Sequence, residues 1–206
     1  MRTRTPIVRT KVGSFALPRS AKAFNCSNVS IRKSIPYSDI ADAVRSVASK
    51  IADAHAGEGN LVLAAIANGG IPFCDWLAKE IDSIGGPPTQ RAVIDISFHR
   101  DDIGVNPIAK EVESTQLCQD PEKAVIVLVD DVIFSGRSIR AALAEVNSIG
   151  RPRKIELATL IDRGNRRLPI QPDYVGISEM TESQEKVVAA IDAAQPEKSH
   201  IDILSA

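Results

Sequence analysis

Ile126-Val127-Leu128-Val129-Asp130-Asp131-Val132-Ile133-Phe134-Ser135-Gly136-Arg137-Ser138 (residues 126–138) runs from an unbroken apolar segment into two carboxylates, a short turn and the start of a helix. Apolar residues without alternation fit a strand buried on both faces, as in parallel sheets. Ile139, Leu143, Val146 and Ile149 then recur at helical spacing, with Gly150 and Pro152 closing the helix. Each part of the turn has a chemical use. Gly136 lets the backbone bend so that successive N–H groups converge as an anion nest. The helix N-terminus adds partial positive charge. Ser135 and Ser138 add hydroxyl donors. Phe134, Ser135, Gly136, Arg137 and Ser138 therefore form a cradle for a phosphate monoester. Asp130 and Asp131 stand beside it, placed to accept hydrogen bonds from sugar hydroxyls and to offset positive charge developing on a ribose ring.

The same logic extends along the chain. Ile40, Val44, Val47 and Ile51 predict a helix opened at Pro36 and capped by Ser38, ending at Gly57 and Gly59. Leu61 to Ile66 reads as a buried strand. Asn68-Gly69-Gly70 follows it and opens a helix whose apolar face is Phe73, Trp76, Leu77 and Ile81, with Pro72 in its first turn. Gly85-Gly86-Pro87-Pro88 breaks the chain before a strand at Ala92 to Phe98. Residues 99 to 122 show no steady period, and a loop of that length is functional or disordered. Ala124 to Val129 is the strongest strand, and Ile155 to Ile161 is another. Tyr174-Val175-Gly176 is short and extended, and Lys186 to Ile191 fits strand or helix. Apolar strands alternating with amphipathic helices predict an α/β fold, a central mostly parallel sheet with helices on both faces. Ligands of such sheets bind beyond the carboxyl ends of the strands. The Asn68-Gly69-Gly70 loop is there, and its N–H groups suit a second anion.

Charge is uneven. Residues 1–34 hold eight Lys and Arg and no Asp or Glu, while all 26 acidic residues follow with 17 basic ones. A basic, acid-free, Ser-rich start has the composition of an organelle transit peptide, and a disordered tail or a misassigned start codon would look the same. The expectation is a leader over 1–34, disordered or targeting, and a domain over 35–206. The acidic remainder disfavours a broad non-specific nucleic-acid surface. Cys26, Cys74 and Cys118 form neither a zinc pattern nor a disulfide framework, which points to a reducing compartment. No apolar run approaches the roughly 20 residues of a membrane helix. His99 has no partner at ligand spacing in His55 or His200, so no direct metal site is expected.

Residues 126–138 resemble the binding signature for 5-phosphoribosyl-1-pyrophosphate (PRPP) of type I phosphoribosyltransferases along their whole length. Ser97-Phe98-His99-Arg100-Asp101-Asp102, Gly150-Arg151-Pro152, Asp162-Arg163-Gly164, Arg166, Leu168-Pro169-Ile170 and Pro172 to Gly176 follow in an order that resembles the PyrR family. Its members are pyrimidine operon attenuation proteins that are also uracil phosphoribosyltransferases, and the likeness runs from about Ser38 to the C-terminus. The resemblance implies the type I phosphoribosyltransferase fold with a small hood, mainly from residues 162–206. It implies transfer from PRPP to uracil, giving UMP and pyrophosphate, with Mg²⁺ bound through PRPP. It further implies that Asn68, Gly69 and Gly70 hold pyrophosphate. Ser97, His99, Asp101 and Asp102 would belong to a flexible lid, with Arg100 joining Asp130 and Asp131 in catalysis. Asp162, Arg163 and Gly164 would form the hood over the base. Arg166 would be an RNA contact, and the chain a cytoplasmic homo-oligomer, a dimer or higher, organellar if the leader is a transit peptide.

The chain also departs from the family pattern. Gly69 stands where many members carry arginine, and Asn165 and Gln171 stand where the family has histidine and arginine near the hood. Two other readings therefore stay open. One is a UMP-sensing regulator that binds a pyrimidine-leader mRNA stem-loop with weak or no catalysis. The other is a phosphoribosyltransferase for a purine base.

Overall fold

The computed structural model describes residues 30–96 and 120–205. In chain order these form β1 (Ser30–Ile35), α1 (Tyr37–Ala54), β2 (Leu61–Ile66), α2 (Gly70–Ser83), β3 (Thr89–Ile94), β4 (Val125–Ile133), α3 (Arg137–Ile149), β5 (Lys154–Asp162), β6 (Tyr174–Ser178), β7 (Lys186–Ala190) and β8 (His200–Ser205). Five strands make an all-parallel sheet in the order β3-β2-β4-β5-β6. All six residues of β2 are buried, as the unbroken apolar run requires. Successive side chains of a strand point to opposite faces. Leu61, Leu63 and Val127 accordingly pack with Ile40, Val44, Phe73 and Leu77 of α1 and α2. Val62, Ala64, Ile126 and Leu128 pack with Ile139 and Val146 of α3 on the other face.

From β2 the chain steps outward to β3, then returns to lay β4 along the opposite side of β2. The strand order therefore reverses between β2 and β4, which opens a crevice at their carboxyl ends. The loops after these two strands are the two anion loops read from the sequence.

A second, antiparallel sheet, β1-β8-β7, forms the hood. It changes the expected boundaries. Residues 30–34, assigned to the leader, belong to the fold: β1 pairs with β8, and Arg32 and Lys33 make ion pairs with Glu179 and Glu185. The first five residues of β1 are exposed, so no apolar alternation marked it. Residues 1–29 lie outside the described residues, as do Cys26 and Cys118. β6 joins the main sheet rather than the hood. Lys186 to Ala190 is strand, held between the main core and β8.

One cap differs from expectation. Ser38 lies inside α1, where its hydroxyl donates to Asp39 Oδ1 at 3.0 Å, and the residue preceding the helix is Pro36. Gly150 ends α3 as expected, in extended backbone (φ −179°). A β-carbon there would sit 2.9 Å from Pro121 Cβ, so close packing accounts for this glycine. Cys74 is buried against Leu63 O, and burial pushes its thiol up to about 12. No helix among the described residues is long and apolar enough to cross a membrane.

Candidate active site

β4 runs four residues further than the apolar pattern indicates, through Ile133, so Asp130 and Asp131 lie within the strand. Pairing with β5 continues past them, Asp130 beside Thr159 and Val132 beside Ile161. Asp130 is 8% exposed and Asp131 is half-buried. Burial pushes the Asp130 carboxyl well above its usual range, and the neighbouring Asp131 charge adds to the effect. Burial also raises Asp131, against the Val132 N–H, which donates to Asp131 Oδ1 at 2.9 Å. Two carboxylates so close resist ionising together until something positive faces them.

Beyond β4 the chain turns through Phe134, Ser135 and Gly136. Gly136 has φ +86°, the left-handed region that favours glycine, and precedes the first turn of α3. The carbonyls of this turn all have partners. Phe134 O accepts from the Arg166 guanidinium at 2.9 Å. Ser135 O accepts from the N–H groups of Arg167 and Leu168 at 3.1 and 3.2 Å, and Gly136 O from that of Arg140 at 3.0 Å. The N–H groups of Ser135, Gly136, Arg137 and Ser138 have no hydrogen-bond partner among the described residues. They border a cleft of about 140 Å³ that Asp130 also lines. The cradle is thus open, with donors inward and acceptors tied back.

The second loop closes the crevice. Asn68 and Gly69 are exposed and Gly70 is buried at the start of α2. A β-carbon on Gly70 would lie 2.3 Å from Val129 O, and one on Gly69 would lie 2.6 Å from Asp131 Oδ1. Both glycines let α2 approach the end of β4, which brings Asn68-Gly69-Gly70 alongside the aspartate pair.

The hood residues fall into two groups. Asp162 accepts from Gly164 N–H at 2.9 Å and from Arg166 at 2.6 Å. Arg163 is buried: its guanidinium donates to Thr181 Oγ1 and to the carbonyls of Glu182 and Glu185, and stacks 4.2 Å from the centre of the Phe134 ring. Arg166, expected as an RNA contact, is enclosed instead, with its side chain 12% exposed. It bonds Asp162, Phe134 O, Gly164 O and Ile170 O. Sequence reading missed this internal use, since an arginine's partners depend on how residues 162–170 fold back onto the turn. The lid residues Ser97, His99, Arg100, Asp101 and Asp102 lie outside the described residues. Among the described residues no group of three or more His, Cys, Asp or Glu stands together as a metal site.

A family model described as the phosphoribosyl transferase domain matches residues 36–194. A curated relative from Pelotomaculum thermopropionicum, named bifunctional protein PyrR, is 43% identical over 141 residues, covering 68% of this chain and 78% of the relative. Another of the same name, from Trichormus variabilis, is 41% identical over 153 residues, covering 73% and 82%. The chain belongs to the PyrR family of phosphoribosyl transferases. The fold of this PyrR-family chain is shared more widely. A hypoxanthine phosphoribosyltransferase from Staphylococcus aureus superposes with a TM-score of 0.57 at 18% identity, covering 77% of this chain and 82% of that one. A hypoxanthine-guanine phosphoribosyltransferase from Bacillus anthracis gives 0.60 at 17% identity, covering 87% and 100%. At those identities the likeness is one of fold. Phosphoribosyl transfer follows for the PyrR-family chain from its domain match.

Proposed function

We propose that the chain transfers a phosphoribosyl group from PRPP to uracil, giving UMP and pyrophosphate. The observation that carries this reading is the open cradle: four N–H groups without partners among the described residues, at a strand-order reversal, beside the Asp130–Asp131 pair. The 5-phosphate would sit on the N–H groups of Ser135 to Ser138, and Asp130 and Asp131 would face the ribose hydroxyls. As the bond to pyrophosphate breaks, positive charge grows on the ribose ring, and the carboxylates stabilise it most at that moment. Asn68-Gly69-Gly70 would receive the pyrophosphate. Backbone groups of Asp162 to Gly164 would bound the base.

The residues present fit Mg²⁺ bound through PRPP. Substrate oxygens and water would supply most of the hard oxygen donors this ion takes, with Asp130 and Asp131 near enough to face it through them. When bound, the ion neutralises charge on the pyrophosphate. The relatives' shared name, bifunctional protein PyrR, supports a second role beside the first, and the family resemblance points to a UMP-sensing regulator that binds a pyrimidine-leader RNA. Engagement of Arg166 inside the hood weighs against that role here. A cytoplasmic homo-oligomer accords with the same relationship.

The test is turnover with PRPP and Mg²⁺ against uracil, cytosine, hypoxanthine, guanine and adenine in competition. UMP as the main product supports the reading, and a purine nucleotide would replace it with the purine alternative. Tight, UMP-dependent binding of leader RNA without turnover on any base would favour the regulator.

A further inference from the structure

We propose that Arg166, held by Asp162, is a positioning residue for the 5-phosphate cradle. This rests on the phosphoribosyltransferase reading above and assigns a task to a side chain that touches no substrate. In a planar trans peptide the carbonyl of one residue and the N–H of the next point in opposite directions. Fixing the Phe134 carbonyl therefore fixes the direction of the Ser135 N–H, and fixing the Ser135 carbonyl fixes that of Gly136.

One hood segment does both. Arg166 donates to Phe134 O at 2.9 Å, and the Arg167 and Leu168 N–H groups donate to Ser135 O at 3.1 and 3.2 Å. Arg163 donates through its backbone to Ile133 O at 3.2 Å and covers the Phe134 ring. The guanidinium suits the task because its planar fork presents several donors in fixed directions. One edge bonds Asp162 and the others reach three carbonyls from three parts of the site. Asp162 is itself fixed by the end of β5 and by the Gly164 N–H. Leu168 and Ile170 lie 3.5 Å from where a Gly136 β-carbon would be, so the same segment backs the turn on its outer side. The cradle's inward amides are thus aimed from the hood. Lysine could keep the ion pair with Asp162 but could not hold all three carbonyls.

The test titrates two ligands separately into the full chain with Mg²⁺: ribose 5-phosphate, which needs the cradle, and pyrophosphate, which needs the Asn68-Gly69-Gly70 loop. Arg166→Lys is expected to weaken ribose 5-phosphate about tenfold, the order of one lost charge-assisted hydrogen bond. Pyrophosphate affinity is expected to stay within about twofold, since its loop lies across the crevice. Asp162→Asn, which leaves the arginine in place, should shift the same ligand in the same direction. It serves as the measurement if Arg166→Lys fails to fold. The double variant should be no worse than the weaker single one, because both act through one contact. Unchanged ribose 5-phosphate affinity, or parallel loss of both ligands, overturns the positioning role. A wild-type chain that binds neither ligand overturns the functional reading itself, and the positioning role with it.

Discussion

The Asp131 carboxylate lies directly against Gly69, so that a β-carbon on the glycine would meet Oδ1 at 2.6 Å. The backbone at Gly69 is right-handed helical (φ −64°, ψ −38°), which any residue adopts, so the requirement for glycine is one of space. Position 69 is exposed, and a substitution there displaces the carboxylate proposed to face the ribose without opening the core. Gly69→Ala is expected to lower kcat/KM about tenfold while Tm moves by no more than about 2 °C. Steady-state kinetics beside a thermal melt checks both. A large fall in Tm with normal kinetics would mean that Gly69 serves packing alone.

Gly70 gives the opposite pattern. Its β-carbon would collide with Val129 O, a backbone atom that cannot rotate aside. Gly70→Ala is expected to cost about 1–3 kcal/mol of stability, as overpacking does, read by urea denaturation. These adjacent glycines show how far the sequence could be read. Strand, loop and helix at 61–83 follow from pattern, but the two different reasons for glycine depend on where β4 ends. The apolar run stopped at Val129, whereas hydrogen bonding to β5 carries the strand through the polar Asp130 and Asp131 to Ile133. β1 stayed hidden because five of its six residues face solvent, although Ile201 and Ile203 of its partner β8 are buried with an alternation that could have been read. The turn at 134–138 was legible because Gly136 and the helix start dictate the course of its backbone locally. The Arg163 and Arg166 contacts with Phe134 were not, since they bridge segments about 30 residues apart.

Asp130 should trade stability for function. Its carboxyl is raised in the fold, so the folded state holds its proton more tightly than the unfolded chain. Stability then falls as pH rises above the unfolded value of about 4 towards the folded value. Asp130→Asn removes that loss. In chelator without ligand it is expected to be more stable than wild type at pH 7 by about 1–3 kcal/mol, with the difference shrinking as pH falls towards about 4. Its turnover should be nearly abolished. Denaturation across pH is the measurement, and a less stable Asn variant at pH 7 would assign Asp130 a structural role.

At the opposite end of the sheet, His55, Glu156 and Tyr174 form a buried polar cluster. Glu156 Oε2 lies 2.6 Å from His55 Nε2 and 3.0 Å from the Tyr174 hydroxyl, and Lys154 pairs with its other oxygen. Burial pushes the Glu156 carboxyl up, but the bonds from Lys154, His55 and Tyr174 outweigh it and leave the group below its usual range. The cluster's stabilisation is therefore present above the unfolded carboxyl value and is lost as pH falls through the lowered folded one. Glu156→Gln is expected to cost about 2–4 kcal/mol near neutral pH, with kcat and KM unchanged in the folded protein. A kinetic defect without loss of stability would contradict this placement far from the crevice.

An open backbone cradle beside a carboxylate pair is proposed to transfer the phosphoribosyl group. Its most direct test is UMP formation from PRPP, Mg²⁺ and uracil by wild type and by Asp131→Asn, with PRPP affinity measured in parallel. Turnover by wild type is expected, with a loss of about a hundredfold or more in the variant and PRPP still bound. Undiminished transfer by Asp131→Asn, or a wild-type chain that transfers to no base at all, would contradict it.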